Sequence, residues 1–366
     1  MKKNVSKLLN AYSISSKNAF DQFQGILTEI FLGKPLKDRE AERLMLLFVS
    51  GYLTETEIAS ILTLLHQRGE APTEIASFAR IMKKTAESVV LPRKKNTILF
   101  DTCGTGGGSV STFNVSTAVA FLVASAGIPV AKHGNKAITS KAGSADVLEA
   151  LGVNIHLTPD QIKKIFKQFQ ISFLFAPKLH TSIAQVQGVR KSLPFRTVFN
   201  CLGPLANPMN PNRQLIGVYD RKLVEPMIQA AKHLGLERAM VVHGIKSGET
   251  LDEVSLIGKT EIAELKNNRI KKYLFEPKDA GLNACQAKDL QGGTAKQNAQ
   301  ILSKILSGKE KGPKADLVLV NAAASFMIAD EVKTLKEGVL FGRALLNTGK
   351  PLKLLKRYAE ASQKAA

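Results

Sequence analysis

Tryptophan is absent from this sequence of 366 residues, and cysteine occurs only three times. The cysteines, Cys103, Cys201 and Cys285, lie far apart and form neither a CxxC pair nor a Cys/His ligand spacing. This pattern argues against a disulfide framework and against a zinc site, and it fits a reducing cytoplasm. No apolar run reaches the roughly 18 to 20 residues that a membrane helix needs. We therefore expect a cytoplasmic protein without a membrane span.

Acidic residues are scarce relative to basic ones. The chain has 51 Lys and Arg against 31 Asp and Glu, a net charge of +20. Such a charge attracts anions, and phosphates are the first candidates. Hydrophobic residues make up 44% and charged residues 22%, which excludes a largely disordered or collagen-like chain. At this length, two packed regions are expected rather than one small domain.

The hydrophobic pattern changes character near residue 92. Residues 18–90 show helical spacing, whereas short β-rich runs alternate with helical runs farther along the chain. This order predicts an α/β protein, with a small N-terminal α-helical bundle domain and a large α/β domain that has a mainly parallel central sheet. The predicted domain ranges are 1–16 (an N-terminal extension), 17–92 (helical) and 93–366 (α/β), with a hinge at 92–96. The predicted strands lie at 97–100, 128–131, 153–155, 173–175, 215–218 and 240–242, followed by antiparallel strands within 254–275.

A glycine-rich segment at 101–117 follows the first predicted strand and leads into an apolar helix. Its four glycines at 104 and 106–108 let the backbone approach a ligand closely. Ser116 and Thr117 lie where a helix N-terminus offers free N–H groups and the positive end of its dipole. The segment has neither a Walker A lysine nor a GxGxxG frame. It predicts a phosphate site, and the alternative is a tight turn without a ligand.

Two further groups of charged residues point to the same chemistry. Lys132 ends a predicted strand, at the edge where open α/β sheets bind ligands. Asp252 and Glu253 are adjacent carboxylates, whose side chains diverge and therefore suit two metal ions better than one. Hard oxygen ligands beside a phosphate site favour Mg²⁺. Taken alone, such an acidic pair is more often an ordinary surface pair.

Several motifs together resemble those of the anthranilate phosphoribosyltransferases. They are the glycine loop at 104–108 with the following NVST, KHGN at 132–135, VRK at 189–191, RTVFNCLGPLANP at 196–208 and LDEVS at 251–255. Their order and spacing also match, and the likeness extends from about residue 18 to residue 348. The resemblance implies transfer of a phosphoribosyl group from phosphoribosyl pyrophosphate to anthranilate in tryptophan biosynthesis.

The resemblance also implies a homodimer, joined through the helical domain, with two Mg²⁺ ions per subunit. Helices at about 181–200 would complete the helical domain. By match to the family motifs, the phosphoribosyl pyrophosphate ligands would be Gly104, Thr105, Gly106, Gly107, Asn114, Ser116, Thr117, Lys132 and Ser144. The anthranilate ligands would be Gly104, Asn135, His180, Arg190 and Gly203. The metal ligands would be Ser116, Asp252 and Glu253. No general acid or base is assigned, because the weakly basic amine of anthranilate is already nucleophilic.

The sequence departs from the family pattern in the glycine loop. Gly108 stands where the family usually has aspartate, and Thr250 stands where it has a glycine before LDE. On the acceptor side, HTSIA replaces HPAMK at 180–184 and QGVRK replaces APVRK at 187–191. Loss of the carboxylate at 108 predicts a more flexible loop and weaker donor binding, unless Ser109 or Ser111 takes over its role.

Two other functions compete with this one. The first is a nucleic-acid-binding, non-catalytic paralogue of the same fold, which the net charge of +20 would suit. The absence of tryptophan and of a basic stripe interleaved with aromatic residues argues against it. The second is a pyrimidine nucleoside phosphorylase, which should carry a KHSTGG-type motif in place of KHGN.

Overall fold

The computed structural model describes residues 3–89, 91–92, 94, 97–137, 141–246 and 248–365. The helices in these ranges are α1 (Lys3–Ala11), α2 (Ala19–Phe31), α3 (Asp38–Ser50), α4 (Glu55–Arg68), α5 (Pro72–Thr85), α6 (Val115–Ser125), α7 (Ser144–Ala150), α8 (Pro159–Phe169), α9 (Ala176–Leu179), α10 (Ala184–Ser192), α11 (Phe199–Leu205), α12 (Val224–His233), α13 (Ala295–Leu306), α14 (Pro313–Ile328), α15 (Leu335–Asn347) and α16 (Lys350–Lys364). The strands are β1 (Phe100–Gly104), β2 (Val130–Gly134), β3 (Ile171–Phe175), β4 (Arg213–Gly217), β5 (Arg238–Lys246), β6 (Glu249–Leu251), β7 (Lys259–Lys266) and β8 (Arg269–Phe275). The predicted fold class is confirmed.

The strands form one sheet in the order β3-β2-β1-β4-β5-β7-β8, and β6 pairs with β5. The five strands from β3 to β5 are parallel, whereas β6, β7 and β8 are antiparallel to their neighbours. β1 lies near the middle, between β2 and β4. The loops that follow these three strands therefore meet at one edge of the sheet, where α/β proteins of this type bind ligands.

Each face of the sheet has its own hydrophobic core. Leu215 and Met240 point into a core that includes α6, α14 and α16. Ile216 and Val241, the next residues along the same strands, point into a second core formed with α2 to α5 and α10 to α12. This alternation follows from the two-residue period of a strand, and it places the helical layer directly on one sheet face. The predicted domain boundaries themselves stay a prediction.

The N-terminal segment differs from the predicted extension. Residues 3–11 form α1, in which Val5 and Leu9 are buried against the helical layer. The Asn4 side chain donates a hydrogen bond to the carbonyl oxygen of Ala86 over 3.1 Å. Apolar side chains at i and i+4 give the segment one hydrophobic face, which packs on α3 and α5. The segment is thus part of the bundle.

Among the predicted strands, the one at 153–155 is wrong. Val153, Ile155 and Leu157 are buried and alternate as in a strand, but these residues run as an unpaired connection from α7 to α8. Alternation shows only that every second side chain is buried. Here these side chains pack into the hydrophobic core that includes α6, α14 and α16, without a neighbouring strand. The other predicted strands are confirmed with boundaries shifted by up to four residues. The predicted hinge at 92–96 lies largely outside the described residues.

The turn between β7 and β8 consists of two residues that suit a tight hairpin turn. Asn267 and Asn268 both have positive φ, 50° and 59°, between β7 and β8. Two consecutive left-handed residues form the tight turn that matches strand twist, and asparagine tolerates this conformation.

In the described residues, no helix combines the length and apolar character needed to cross a bilayer.

A tyrosine of α16 hydrogen-bonds to the backbone of β3, the strand at the outer edge of the sheet. β3 has a free edge, and the Phe173 N–H there donates to the Tyr358 hydroxyl over 2.9 Å. Tyr358 is fully buried on α16, and its ring packs edge-on against Phe121 and Phe169. The C-terminal helix is therefore fastened to the sheet by both packing and a hydrogen bond.

We expect Tyr358→Phe to destabilise the protein by about 1–3 kcal/mol, because it leaves a buried backbone N–H without a partner. Denaturant unfolding followed by circular dichroism measures the shift. Tyr52→Phe, at a half-buried position, is the matched control and should change stability little. An unchanged unfolding midpoint for Tyr358→Phe would contradict this role.

Candidate active site

The glycine loop begins at the end of β1 and adopts a conformation that side chains would block. Gly106 and Gly107 have φ of 71° and 87°, in the left-handed region. A Cβ at Gly104 would lie 2.5 Å from the Asp252 carboxylate. The loop therefore needs glycine both for its backbone angles and for the close approach of Asp252.

The loop is fastened to residues 250–252, at the end of β6. The Gly106 N–H donates to Oδ2 of Asp252 over 2.9 Å. Ser109 N donates to Thr250 Oγ1 over 3.0 Å, and Thr250 N donates to Ser109 Oγ over 2.8 Å. The structure thus brings together the two motifs that sequence analysis assigned to phosphate and metal.

Lys132 extends from β2 into the space between β1 and α6. Its Nζ donates to the Thr102 carbonyl oxygen over 2.8 Å and to Ser116 Oγ over 3.1 Å. The residue is buried, which lowers its pKa, while the nearby carboxylates Asp101 and Glu253 act in the opposite direction. Lys132 therefore places an ammonium group beside the N-terminus of α6, and its role as a phosphate ligand stays a prediction.

Asp101 is a site residue that sequence analysis missed. It is completely buried in β1 and accepts hydrogen bonds from Asn207 Nδ2 over 2.9 Å and from His133 N over 3.2 Å. Burial raises its pKa to about 6, against the opposing charge of Lys132 and these hydrogen bonds. A carboxylate within an apolar strand was the available signal. Asp101 provides the counter-charge for the buried lysine.

The start of α6 is held by side chains from distant segments. Asn114 donates to the Ala142 carbonyl oxygen over 3.1 Å and accepts from Asn298 Nδ2 over 2.9 Å. Ser116 and Thr117 follow in the first turn, and Thr117 is fully buried. Asn114 thus has a supporting role here, in addition to the expected contact with the donor.

The predicted ligands Asn135 and Ser144 lie together beyond β2. The Ser144 hydroxyl donates to the Asn135 carbonyl oxygen over 3.2 Å, and the Ala145 N–H donates to the same oxygen over 3.1 Å. Ser144 is the first residue of α7, so its environment includes the positive end of a helix.

The acceptor-side residues lie next to a buried histidine pair. The His133 and His180 ring centroids are 5.1 Å apart, and His133 Nδ1 is 3.0 Å from the Gly203 carbonyl oxygen. Burial lowers the pKa of His133 to about 4, and burial with the neighbouring ring lowers the pKa of His180 to about 3. Both rings are therefore neutral at pH 7.

Arg190 projects from α10 toward α11. Its guanidinium carbon lies 5.1 Å from the Phe199 ring centroid, a cation–π distance. Its Nε is buried and has no hydrogen-bond partner in the part of the chain that the structure describes. Burial lowers its pKa, but an arginine remains charged at neutral pH. A half-buried, incompletely paired guanidinium is well suited to receive a carboxylate.

Comparison with known proteins places the chain in a family. Residues 24–86 match the helical bundle domain of the glycosyl transferase family, and residues 96–352 match its α/β domain. The anthranilate phosphoribosyltransferase of Petrotoga mobilis is 42% identical over 92% of this chain and 96% of its own length. That of Methanosarcina acetivorans is 44% identical over 87% of this chain and 84% of its own length. The chain belongs to the anthranilate phosphoribosyltransferase family.

Solved structures of the family have the same fold. Anthranilate phosphoribosyltransferase from Thermus thermophilus aligns with a TM-score of 0.86 at 37% identity, covering 92% of this chain and 99% of that one. The Saccharomyces cerevisiae enzyme in complex with PRPP and Mg aligns with a TM-score of 0.84 at 27% identity, covering 93% and 98%.

The three residues that sequence analysis predicted as metal ligands carry oxygen donors, which suit Mg²⁺. Asp252 and Glu253 are half-buried; burial raises the pKa of both carboxyl groups, and the neighbouring Asp252 charge adds to the effect at Glu253. Among the described residues, no three acidic, His or Cys side chains converge on one point. Two carboxylates and the Ser116 hydroxyl leave coordination positions for water and phosphate oxygens, which is how proteins commonly hold Mg²⁺.

The two departures from the family pattern in this loop are neighbours in space. A Cβ at Gly108 would lie 2.8 Å from the Thr250 carbonyl oxygen and 3.3 Å from Asp252 Oδ1. Thr250 in turn supplies both the side chain and the backbone N–H that pair with Ser109. The Ser109–Thr250 hydrogen bonds anchor the loop, and the compact 108–250 contact leaves little space for a side chain at 108. That Ser109 takes over the role of the missing carboxylate stays a prediction.

We expect Gly108→Ala to lower kcat/KM for phosphoribosyl pyrophosphate roughly 10- to 100-fold, because its Cβ displaces the segment that carries Asp252. Gly108→Asp adds a carboxylate to the same Cβ, so comparing the two variants separates steric from electrostatic effects. A smaller loss in Gly108→Asp, with a lower Mg²⁺ requirement, indicates that the carboxylate contributes as in relatives. Gly25→Ala, with open space around its Cβ, is the control. Wild-type kinetics in Gly108→Ala would contradict the steric argument.

Proposed function

We propose that the chain transfers the 5-phosphoribosyl group of phosphoribosyl pyrophosphate to the amine of anthranilate, with release of pyrophosphate, in the biosynthesis of tryptophan. One observation carries the proposal: the glycine loop, the Lys132 ammonium group and the Asp252–Glu253 pair meet at the carboxyl edge of the sheet. This arrangement supplies N–H donors and a cation for a pyrophosphate, with carboxylates for its metal ions.

The donor side stabilises the leaving group. As the C1–O bond of the donor breaks, negative charge grows on pyrophosphate and positive charge grows on the ribose. The first turn of α6 and the Lys132 ammonium group, which contacts Ser116 in that turn, would stabilise this anion. Asp252, Glu253 and Ser116 would hold Mg²⁺, two ions per subunit, which supplies charge neutralisation at the phosphate oxygens.

The acceptor side orients anthranilate and needs no strong base. Arg190 provides a cation for the anthranilate carboxylate. The rings of His133 and His180 are neutral and buried, so they offer apolar faces without competing for that carboxylate. Orientation of a weakly basic amine toward C1 supplies the main advantage on this side.

The activity is tested by following the decrease of anthranilate fluorescence with purified protein, phosphoribosyl pyrophosphate and Mg²⁺. We expect Asp252→Asn and Glu253→Gln to lower turnover by roughly 10²- to 10³-fold, because the leaving group loses charge compensation. Both variants preserve side-chain shape, and circular dichroism verifies their fold. Near wild-type rates in both variants would show that the metal assignment is wrong.

Arg190 provides a separate test of the acceptor side. We expect Arg190→Ala to raise KM for anthranilate roughly 10- to 100-fold and to change KM for the donor much less, since it removes a charge-assisted contact to the acceptor. Lys191→Ala, at the exposed neighbouring position, is the control. A larger effect on the donor KM would overturn this placement.

We also propose that the chain is a homodimer joined through the helical layer. Phe31 and Phe20 on α2 are 75% and 54% exposed, and Phe31 borders an apolar groove between α2 and α4. Exposed aromatic side chains around a groove favour a protein interface.

We expect Phe31→Asp to yield monomers in sedimentation equilibrium, because it places a charge in the interface. Leu274→Asp, at an exposed position on β8, is the control and should leave the dimer intact. A monomeric wild type would contradict the proposal.

A cytoplasmic location suits the three cysteines, none of which forms a disulfide in the described residues. The alternative of a non-catalytic nucleic-acid-binding paralogue is not supported. The relatives named above are phosphoribosyltransferases, and the groups that suit a phosphate lie together in this chain.

A further inference from the structure

We propose that Arg196 is a positioning residue that holds the glycine loop ready for the donor and couples this loop to the acceptor-side helices. The proposal rests on the proposed function and deepens it. Arg196 belongs to the RTVFN segment that supported the family resemblance, but sequence analysis assigned it no role.

The Arg196 guanidinium lies directly on the loop. Its Nη2 donates to the Gly107 carbonyl oxygen over 2.9 Å. A Cβ at Gly107 would overlap the guanidinium, so the arginine occupies the space that a side chain at 107 would need. The positive φ of 87° at Gly107 and the contact with Arg196 therefore depend on each other.

Tyr219 packs against one face of the Arg196 guanidinium. The Tyr219 ring centroid is 3.8 Å from the guanidinium carbon, a close cation–π contact. Tyr219 is itself joined to the loop, because its N–H donates to Thr105 Oγ1 over 3.0 Å. Thr105 N in turn donates to the Gly217 carbonyl oxygen over 2.9 Å. Contacts therefore connect the loop to Arg196, Arg196 to Tyr219, and both Tyr219 and the end of β4 back to the loop.

The segment that carries Arg196 is attached to the acceptor side. It connects α10, which bears Arg190, to α11, which bears Gly203. The neighbouring Phe195 stacks on His66 of α4, with ring centroids 4.5 Å apart and planes inclined by 17°. Arg196 therefore joins the segment between α10 and α11 to the donor loop through its contact with Gly107.

Arg196 holds the loop next to the point where Asp252 holds it. The Gly107 carbonyl that accepts from Arg196 adjoins the Gly106 N–H that donates to Asp252. Loss of the guanidinium would release the Gly107 carbonyl and weaken this support at once. The loop would then have to be ordered by the donor, at a cost in affinity.

The test measures donor binding and loop order as well as turnover. Calorimetry with phosphoribosyl pyrophosphate and Mg²⁺, without anthranilate, should show about 10- to 100-fold weaker binding for Arg196→Gln, because the donor must then order the loop. The same variant should exchange its 105–109 amide hydrogens faster in the absence of ligand. Arg196→Lys retains the charge but not the planar, stacked fork, so it should restore only part of the affinity.

Two further variants separate the stacking contact from general damage. Tyr219→Leu removes the aromatic face and should weaken donor binding more than Tyr219→Phe, which keeps it. Arg221→Gln is the matched control, since Arg221 is 68% exposed and pairs with Glu261 outside the site. Its donor affinity should equal that of the wild type.

The outcomes distinguish this proposal from the proposed function. An active wild type whose Arg196→Gln and Arg196→Lys variants bind the donor within twofold of it would overturn only the role of Arg196. Losses confined to KM for anthranilate, or a general fall in thermal stability with unchanged loop exchange, would also overturn that role. A wild type that neither binds the donor nor turns over would overturn both.

Discussion

The contact between the glycine loop and residues 250–252 is the constraint on which the site depends. Asp252 approaches β1 and β4 so closely that a side chain at Gly104 would meet its carboxylate and one at Gly217 would meet its backbone. This approach brings the Asp252 carboxylate, which we propose as a metal ligand, into hydrogen-bond contact with the Gly106 N–H of the glycine loop. Because β1, β2 and β4 are neighbouring parallel strands, Lys132 at the end of β2 lies at the same edge of the sheet.

The site contains several buried charges, which a core would normally exclude. Lys132 has Asp101 and Glu253 as neighbours, and Asp101 is further stabilised by Asn207 and a backbone N–H. Burial of charge is costly unless partners are present, so this network must be assembled as a unit. The network places an ammonium group, two carboxyl groups and a helix N-terminus close to one another.

Sequence patterns predicted the elements that local chemistry specifies. Thr54 and Thr158 cap the N-termini of α4 and α8, and Asn267 with Asn268 forms the turn within the predicted antiparallel strands. The same patterns failed at 153–155, where buried alternation occurs without a strand partner. They also missed the packing of α1, because a short amphipathic helix is stabilised by its neighbours rather than by its own residues.

The sequence by itself determined the motifs, the fold class and the chemical character of the site, because glycine, lysine and carboxylate have distinct capacities for backbone approach and for charge. Only the tertiary structure decided which residues support these groups. Asp101, Arg196 and Asn298 contact partners 32, 89 and 184 residues away in the chain, and no local spacing encodes such contacts. The pairing of Ser109 with Thr250 is of the same kind, since it arises from β-strand order and close packing.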